Sequence, residues 1–243
     1  MAMLQAIIMA GGAGSRLHPY TANFPKPLMP VGERPVLEIL LRRLKHAGIS
    51  RVVLAVNRSD RLMQTYFGDG ERLGMSLCYS AEETPLGTAG HLPLVLDRME
   101  PDFLVLNGDL LTTLDFGQLI STHVRQGDAV TIGAHRRLIK SEFGVLETDP
   151  AGRLIAYREK PVQEQLVSMG LYALNREAVR GFLTPGAVLD MPDLILAMLG
   201  AGVSVRPHNQ DCVWMDIGTP GDLAAAQALI AENPIAFEPG GGA

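Results

Sequence analysis

The first residues in this chain that could do chemistry are a glycine-rich turn carrying an arginine and a lysine clamped between prolines. The apolar run Gln5 to Ala10 leads into Gly11-Gly12-Ala13-Gly14-Ser15-Arg16-Leu17, and Lys26 stands between Pro25 and Pro27. Glycines let backbone N–H groups approach phosphate oxygens with no Cβ in the way. Two held cations can neutralise charge that shifts from one phosphate to another. This is equipment for a polyphosphate. Two carboxylates extend it: Asp109, which follows the apolar run Phe103 to Asn107, and Asp216, in Trp-Met-Asp-Ile-Gly-Thr-Pro. An acid at the exit of a buried strand is poorly placed for a core and well placed for a cation. Mg²⁺ takes one or two carboxylates together with substrate phosphates and waters.

The spacing excludes two familiar phosphate sites. There is no G-x-x-x-x-G-K-[ST], and Leu17 stands where a dinucleotide fingerprint needs its third glycine. Cys78 and Cys212 are far apart and form no C-x-x-C, so they read as small buried strand residues without a disulfide. The six histidines form no H-x-x-x-H pair, so a metal would rest on carboxylates. A net charge of −5 argues against general nucleic-acid binding, which needs a basic face. No apolar stretch approaches the ~20 residues of a membrane span. The apolar start has no basic leader, so the expected compartment is the cytoplasm.

Two further strings could meet a ligand. Pro85-Leu86-Gly87-Thr88-Ala89-Gly90 puts small residues at a helix start, which suits a flat base or a phosphate, although Thr88 is equally a plain N-cap. Glu159-Lys160-Pro161 pairs an acid with a base at a strand end, where the acid can accept sugar hydroxyls and the base can face a phosphate.

These residues need elements to position them. The chain has 243 residues, 47% of them hydrophobic, enough for a sizeable core. Apolar positions from Val36 to Leu44 recur at helical spacing and stop at Gly48. Strands are predicted at 51–56, 76–79, 103–107 and 129–134, with helices at 59–67 (capped by Ser59 or Asp60), from Thr88 towards Leu96, and at 116–126. A hairpin follows around Asp149-Pro150-Ala151-Gly152, then strands at 169–174, 203–206 and 213–217 and helices near 176–182, 192–201 and 221–232. Such alternation indicates a mainly parallel sheet covered on both faces, with ligands at the carboxyl ends of its strands. The glycine turn and Asp109 both fall at such ends.

Six strings, in order, resemble the sugar-1-phosphate nucleotidyltransferases: GGAGSRL, FPKPLMPVGERPVLE, EETPLGTAG, VLNGDLL, FGVLETDPAGRLIAYREKP and WMDIGTPGD, over roughly Leu4 to Ile230. The resemblance implies an α/β, Rossmann-like three-layer sandwich with a mixed, mainly parallel sheet and no C-terminal β-helix. It implies one domain over 1–232, with a nucleotide portion to about 135 and a sugar portion from about 136; 233–243 is expected to be a loose tail. The implied reaction joins a sugar 1-phosphate to a nucleoside triphosphate and releases pyrophosphate. By the family pattern Arg16 steadies the pyrophosphate, Lys26 the α-phosphate, and Asp109 and Asp216 hold Mg²⁺. Ala10, Gly11, Gly12, Gly14, Asn57, Gly87 and Thr88 flank the nucleotide; Asn107, Gly144, Glu159, Lys160 and Ser168 lie towards the sugar phosphate. Ser15 replaces a usual threonine, and Ser168 a usual asparagine that touches the sugar. The strings AVN and PLGTAG look most like guanylyltransferases for mannose 1-phosphate and manno-heptose 1-phosphate. That favours GTP with a manno-configured sugar and a role in surface-polysaccharide supply. UTP, dTTP or CTP enzymes, including the muramic acid phosphate uridylyltransferase type, are the alternatives. A related glycosyltransferase would carry Asp-x-Asp, absent around Asp109, and a non-catalytic regulatory relative would tend to lose one of the four charged groups. Relatives are often dimers or tetramers, so the resemblance leaves a homo-oligomer open.

Overall fold

The computed structural model describes residues 5–12, 14–22, 24–57 and 61–237. The predicted cap at Ser59 or Asp60 lies outside these residues. Seven strands form one sheet: β1 (Gln5–Met9), β2 (Arg51–Asn57), β3 (Ser76–Glu82), β4 (Asp102–Asn107), β5 (Val130–Lys140), β6 (Val162–Asn175) and β7 (Val205–Asn209), in the spatial order 3-2-1-4-6-5-7. Only β6 runs against the others. Six strands therefore present their carboxyl ends along one edge, the arrangement that gathers ligands there.

Alternation along the strands builds the layers. Ile8, Leu54, Leu106 and Leu171 face helices Val36–His46, Arg61–Phe67 and Phe116–Gln126, burying Leu40, Phe67 and Phe116 among others. Ile7, Ala55, Val105 and Leu174 face the other way, onto Leu92, Leu96, Val179 and helix Met191–Gly200. A third cluster, with Met29, Val31, Leu111, Ile217 and Leu223, lies under helix Pro220–Glu232. The result is the expected three-layer, mostly parallel α/β sandwich.

Several expectations need correction. The strands predicted at 129–134 and 169–174 are the inner ends of β5 and β6, which run on to Lys140 and back from Val162 as a projecting ribbon. The polar, exposed outer halves lack the apolar alternation that marks a strand. The predicted helix from Thr88 to Leu96 is a four-residue turn, Gly87–Gly90, followed by short 3₁₀ turns. Pro93 has no N–H to continue an α-helix there. The tail is not loose throughout, since Pro234–Phe237 is helical and Phe237 is buried. Cys78 is exposed rather than buried, and Cys212 is half-buried; both are free.

Candidate functional site

The site is assembled by a pairing that spacing alone does not reveal. Leu110–Thr112 and Trp214–Asp216 form an antiparallel two-stranded ladder in which Asp216 faces Leu110. The Ile217 N–H also donates to the Asp109 carbonyl, at 3.1 Å. Two acids 107 positions apart in sequence are thereby brought together. Gly108 places Asp109 beside the glycine turn: its N–H donates to the Met9 carbonyl at 2.9 Å, and an added Cβ would stand 3.0 Å from that oxygen.

The two cations come from either side. Lys26 sits in a 3₁₀ turn, Lys26–Leu28, anchored by buried Pro27 and Leu28. Its Nζ donates to Asp109 Oδ2 in a nearly buried ion pair. Gly14, in the left-handed region at φ 59°, packs on this lysine; a Cβ there would lie 3.2 Å from Lys26 Cβ and 3.0 Å from Thr21 Cγ2. The Arg16 guanidinium lies beside Gly218, where an added Cβ would stand 3.2 Å from Nη2 and 3.4 Å from Asp216 Oδ2. Capping of helix Pro220–Glu232 by Thr219 and Asp222 fixes this loop.

The cluster matches two cations to two carboxylates, yet its acids are not fully satisfied. Burial first, and then the neighbouring Asp109, push the Asp216 carboxyl up to about 6, against the pull of Lys26 and Arg16. Asp109 Oδ1 is buried with no hydrogen-bond partner among the described residues. Both observations fit a cation that two carboxylates hold and substrate phosphates and waters complete. Among the described residues no group of three or more His, Cys, Asp or Glu side chains forms a closed metal cage.

A cavity of about 240 Å³ opens at the carboxyl ends of β1 to β3, lined by Gly11, Gly12, Asn57, Glu82, Gly87 and Thr88, with His91 and neighbouring apolar residues. Ala10 is fixed behind it through an N–H bond to the Ala55 carbonyl at 2.8 Å. The Asn57 amide donates to the Gly11 carbonyl. Gly87, at φ 81°, permits close passage: a Cβ there would meet the Leu189 carbonyl at 2.6 Å. One expectation fails here. The N–H of Thr88 is taken by Asp190 and those of Ala89 and Gly90 by the Leu189 carbonyl, while the Thr88 hydroxyl accepts from Met191. Those three donors are not open to a phosphate, because Leu189 and Asp190, the two residues that lead into helix Met191–Gly200, already take them. The flat-base option for this wall remains.

The residues expected towards the sugar fall in two places. Asn107, at the end of β4, packs under Gly170, and Ser168 flanks the same irregularity in β6. The Ser168 hydroxyl lies 3.3 Å from the Tyr172 hydroxyl. Gly144 and Glu159 meet through Tyr157, whose hydroxyl donates to Glu159 Oε2 at 2.9 Å; a Cβ at Gly144 would collide with that phenol. Lys160 is exposed, at φ 42° the only non-glycine among the described residues with positive φ. This second group sits at the two-stranded hairpin of Val145–Thr148 and Leu154–Arg158, which the chain inserts between β5 and β6.

Sequence reasoning passed over Glu82, because the strand predicted at 76–79 stops three residues short of the end of β3. It also passed over His91, a lone histidine carrying no motif. Trp214, whose Nε1 donates to the Met169 carbonyl at 3.1 Å, ties the Asp216 strand to β6.

An open α/β sheet whose carboxyl edge carries two acids, two cations and a glycine-lined cavity is the arrangement of a nucleotide-binding α/β fold. The chain belongs to the nucleotidyl transferase family, which it matches over residues 5–233. It is 32% identical over 230 residues to a mannose-1-phosphate guanylyltransferase from Mycobacterium tuberculosis, covering 93% of this chain and 64% of that one. It is 30% identical to a UTP–glucose-1-phosphate uridylyltransferase from Synechocystis, covering 88% and 60%. The chain thus spans less than two thirds of the length of these relatives. Among solved structures, a Bacillus anthracis protein described as a glucose-1-phosphate thymidylyltransferase superposes with a TM-score of 0.75 at 25% identity, covering 93% of this chain and 94% of that one. HddC from Yersinia pseudotuberculosis, complexed with GMP-PN, shares the fold, with a TM-score of 0.71 at 22% identity, covering 94% and 100%. Among the described residues no helix is long and apolar enough to cross a membrane.

Proposed function

We propose that the protein is a sugar-1-phosphate nucleotidyltransferase that joins a nucleoside monophosphate from a triphosphate to a sugar 1-phosphate. A phosphate oxygen of the sugar attacks the α-phosphorus; the new P–O bond forms as the bond to the bridging oxygen breaks, and pyrophosphate leaves with its electrons. The observation that carries this reading is the four-residue cluster of Arg16, Lys26, Asp109 and Asp216, whose unpartnered Oδ1 and raised carboxyl ask for a cation. Asp109 and Asp216 hold Mg²⁺, which when bound supplies charge neutralisation at the phosphates. Lys26 works at the α-phosphate and Arg16 at the leaving pyrophosphate, so positioning and charge carry the rate.

On this reading the nucleotide lies over Ala10, Gly11, Gly12 and Gly14 with its base towards Asn57, Gly87 and Thr88. The sugar phosphate lies towards Asn107, Ser168, Gly144, Glu159 and Lys160. The nucleotide portion runs to about residue 135 and the sugar portion from there to 232. The preferred pair is GTP with a manno-configured hexose or heptose 1-phosphate, supported by mannose-1-phosphate guanylyltransferases from several species among the relatives. The setting is cytoplasmic supply of a nucleotide sugar for surface polysaccharide.

Pyrophosphate release with Mg²⁺, each of the five common triphosphates and a panel of sugar 1-phosphates tests this. Release with GTP and a manno sugar is expected. Release with another pair keeps the reaction and replaces the substrates; release with none, from folded protein, removes the reaction.

A further inference from the structure

The sheet carries a second cavity, towards the amino ends of the strands whose carboxyl ends form the first. Gln5, Arg51 and Ser76 open β1, β2 and β3 and stand in register, and Ile7, Val53 and Cys78 make the next row on the same face. The chain between β3 and β4 has to cover that face. It does so with the turn Gly87–Gly90 and the 3₁₀ turns Leu92–Leu94 and Leu96–Arg98, with no long helix. The cover seals β1, thins over β2 and misses β3: Ile7 is fully buried, Val53 partly buried and Cys78 exposed. What remains is a cavity of about 140 Å³ with Val53, Val95 and Met99 as its apolar part.

The polar part is rich in donors. Gln5, only 6% exposed, lines the cavity, and its Oε1 accepts from the Glu100 N–H at 2.8 Å. The amide nitrogen, a donor of two hydrogens, is left without a partner among the described residues. A side chain this deeply buried normally has its polar atoms answered. Arg51 and Arg98 bring guanidinium groups to the same cavity, and Ser76 and Ser80 bring hydroxyls. The neighbouring acids do not cancel this charge. Glu100 lies 3.8 Å from Arg51, but Asp97 is taken by Arg180 at 2.7 Å, and Arg98 has no ion pair among the described residues. Guanidinium forks match carboxylates and phosphates alike. Donors spread over three strands and a turn outnumber the two oxygens of a carboxylate and suit the three of a phosphate monoester.

We infer that this cavity is a second ligand site, for a phosphate monoester with a short apolar body. The body rests on Val53, Val95 and Met99, and the phosphate meets Gln5, Arg51 and Arg98. The site is separate from the cluster of Arg16, Lys26, Asp109 and Asp216, which lies at the other ends of the strands.

Because that cluster can also take a phosphate, the test needs a local readout, and Cys78 supplies one. The full chain is treated with iodoacetamide, an uncharged reagent, and alkylation of Cys78 and Cys212 is followed by mass spectrometry while n-butyl phosphate is titrated in. Butyl phosphate should slow alkylation of Cys78 about fivefold or more at saturation and leave Cys212 unchanged. Inorganic phosphate lacks the apolar body, and butanol lacks the charge. Each should need concentrations about tenfold or more higher for the same protection. Arg98→Ala should weaken protection by butyl phosphate about tenfold or more. Gln5→Glu should do the same, since it keeps an oxygen for the Glu100 N–H but replaces the free donor with a negative charge. Thermal melts check that both variants fold, and exposed Arg98 keeps the test decisive if Gln5→Glu does not. Butyrate protecting as well as butyl phosphate overturns the inference. So does protection that is unchanged in Arg98→Ala, or a Cys78 that fails to react in the folded parent because another surface covers this face.

Discussion

Two clusters in this protein set buried carboxylates among cations, and they are built to opposite ends. Glu38, 3% exposed on helix Val36–His46, is surrounded by Arg34, Arg42 and Arg72. Arg42 donates twice to its Oε1, at 3.0 and 2.8 Å, and Tyr66 and Arg72 donate to Oε2 at 3.1 and 3.3 Å. Burial pushes this carboxyl up, but the hydrogen bonds and the arginine charges outweigh it and hold it below its ordinary value. At the sheet's mouth, burial and a second acid win instead, and Asp216 stands at about 6 with Asp109 Oδ1 unpartnered. A satisfied carboxylate stabilises the fold. An unsatisfied pair is held there by the fold, and the proposed function gives it a cation for a partner. Charge clusters in a sequence cannot be sorted this way by composition; the lone pairs have to be counted.

The difference breaks most visibly at Lys26. Lys26→Ala should lower turnover about 10³-fold or more, because a positioned cation is lost where charge develops. The melt should stay within a few degrees of the parent, since the surrounding turn is anchored by Pro27 and Leu28. Retained activity in the pyrophosphate assay would remove this lysine from the reaction.

Asp216→Asn sharpens the comparison, because function and stability should move in opposite directions. Turnover should fall about 10²-fold or more through loss of a cation ligand and its charge. The melting temperature should hold or rise, as the carboxamide removes the charge that burial, and then repulsion from Asp109, disfavours at this carboxyl. A clear drop in the melt with turnover intact would make Asp216 a structural residue like Glu38.

Glu38→Gln is the mirror image: a stability loss of about 1–3 kcal/mol by chemical denaturation, with turnover within about threefold of the parent. Its pH dependence has a definite sign. A carboxyl whose folded value lies below the ordinary 4.5 adds stability that is fully present above that value and is lost as pH falls through the lowered one. The parent should therefore lose its advantage over Glu38→Gln on acidification below about pH 4.5, with little change between pH 6 and 8. An advantage that does not shrink at all on acidification below about pH 4.5 would mean that packing, not charge, holds the helix.

The same contrast explains what the sequence could disclose. Local rules placed helix 116–126, the hairpin around Asp149 and the helix stop at Gly48, because periodicity, Asx turns and glycines act within a few residues. The four charged residues were readable by type, two acids at strand ends and two cations in the turns after β1. Their meeting was not, since it depends on Asp216 pairing with Leu110, a contact between segments each only three residues long. The partners of Thr88 were unreadable for the same reason: its hydroxyl accepts from the Met191 N–H, more than a hundred positions away. The outer ribbon of β5 and β6 escaped because both its faces meet solvent, and a strand without a buried face has no alternation to read.

The smallest effect should come from thinning the saturated cluster rather than emptying it. Arg72 is 57% exposed, donates to Glu38 at 3.3 Å, and lies over the Tyr66 ring at 5.1 Å from its centre. Arg72→Ala removes one screened ion pair and a partly exposed cation–π contact, together worth about 0.5–1 kcal/mol. Glu38 keeps both Arg42 bonds and the Tyr66 hydroxyl, so no buried oxygen is orphaned and the larger penalty of an unpaired charge does not arise. A double-mutant cycle with Glu38→Gln would read the coupling directly. Coupling near zero would mean that Arg42 alone satisfies the carboxylate. Coupling as large as the whole Glu38→Gln effect would mean that the cluster has no redundancy, and the contrast with the sheet's mouth would then rest on the number of cations rather than on saturated lone pairs.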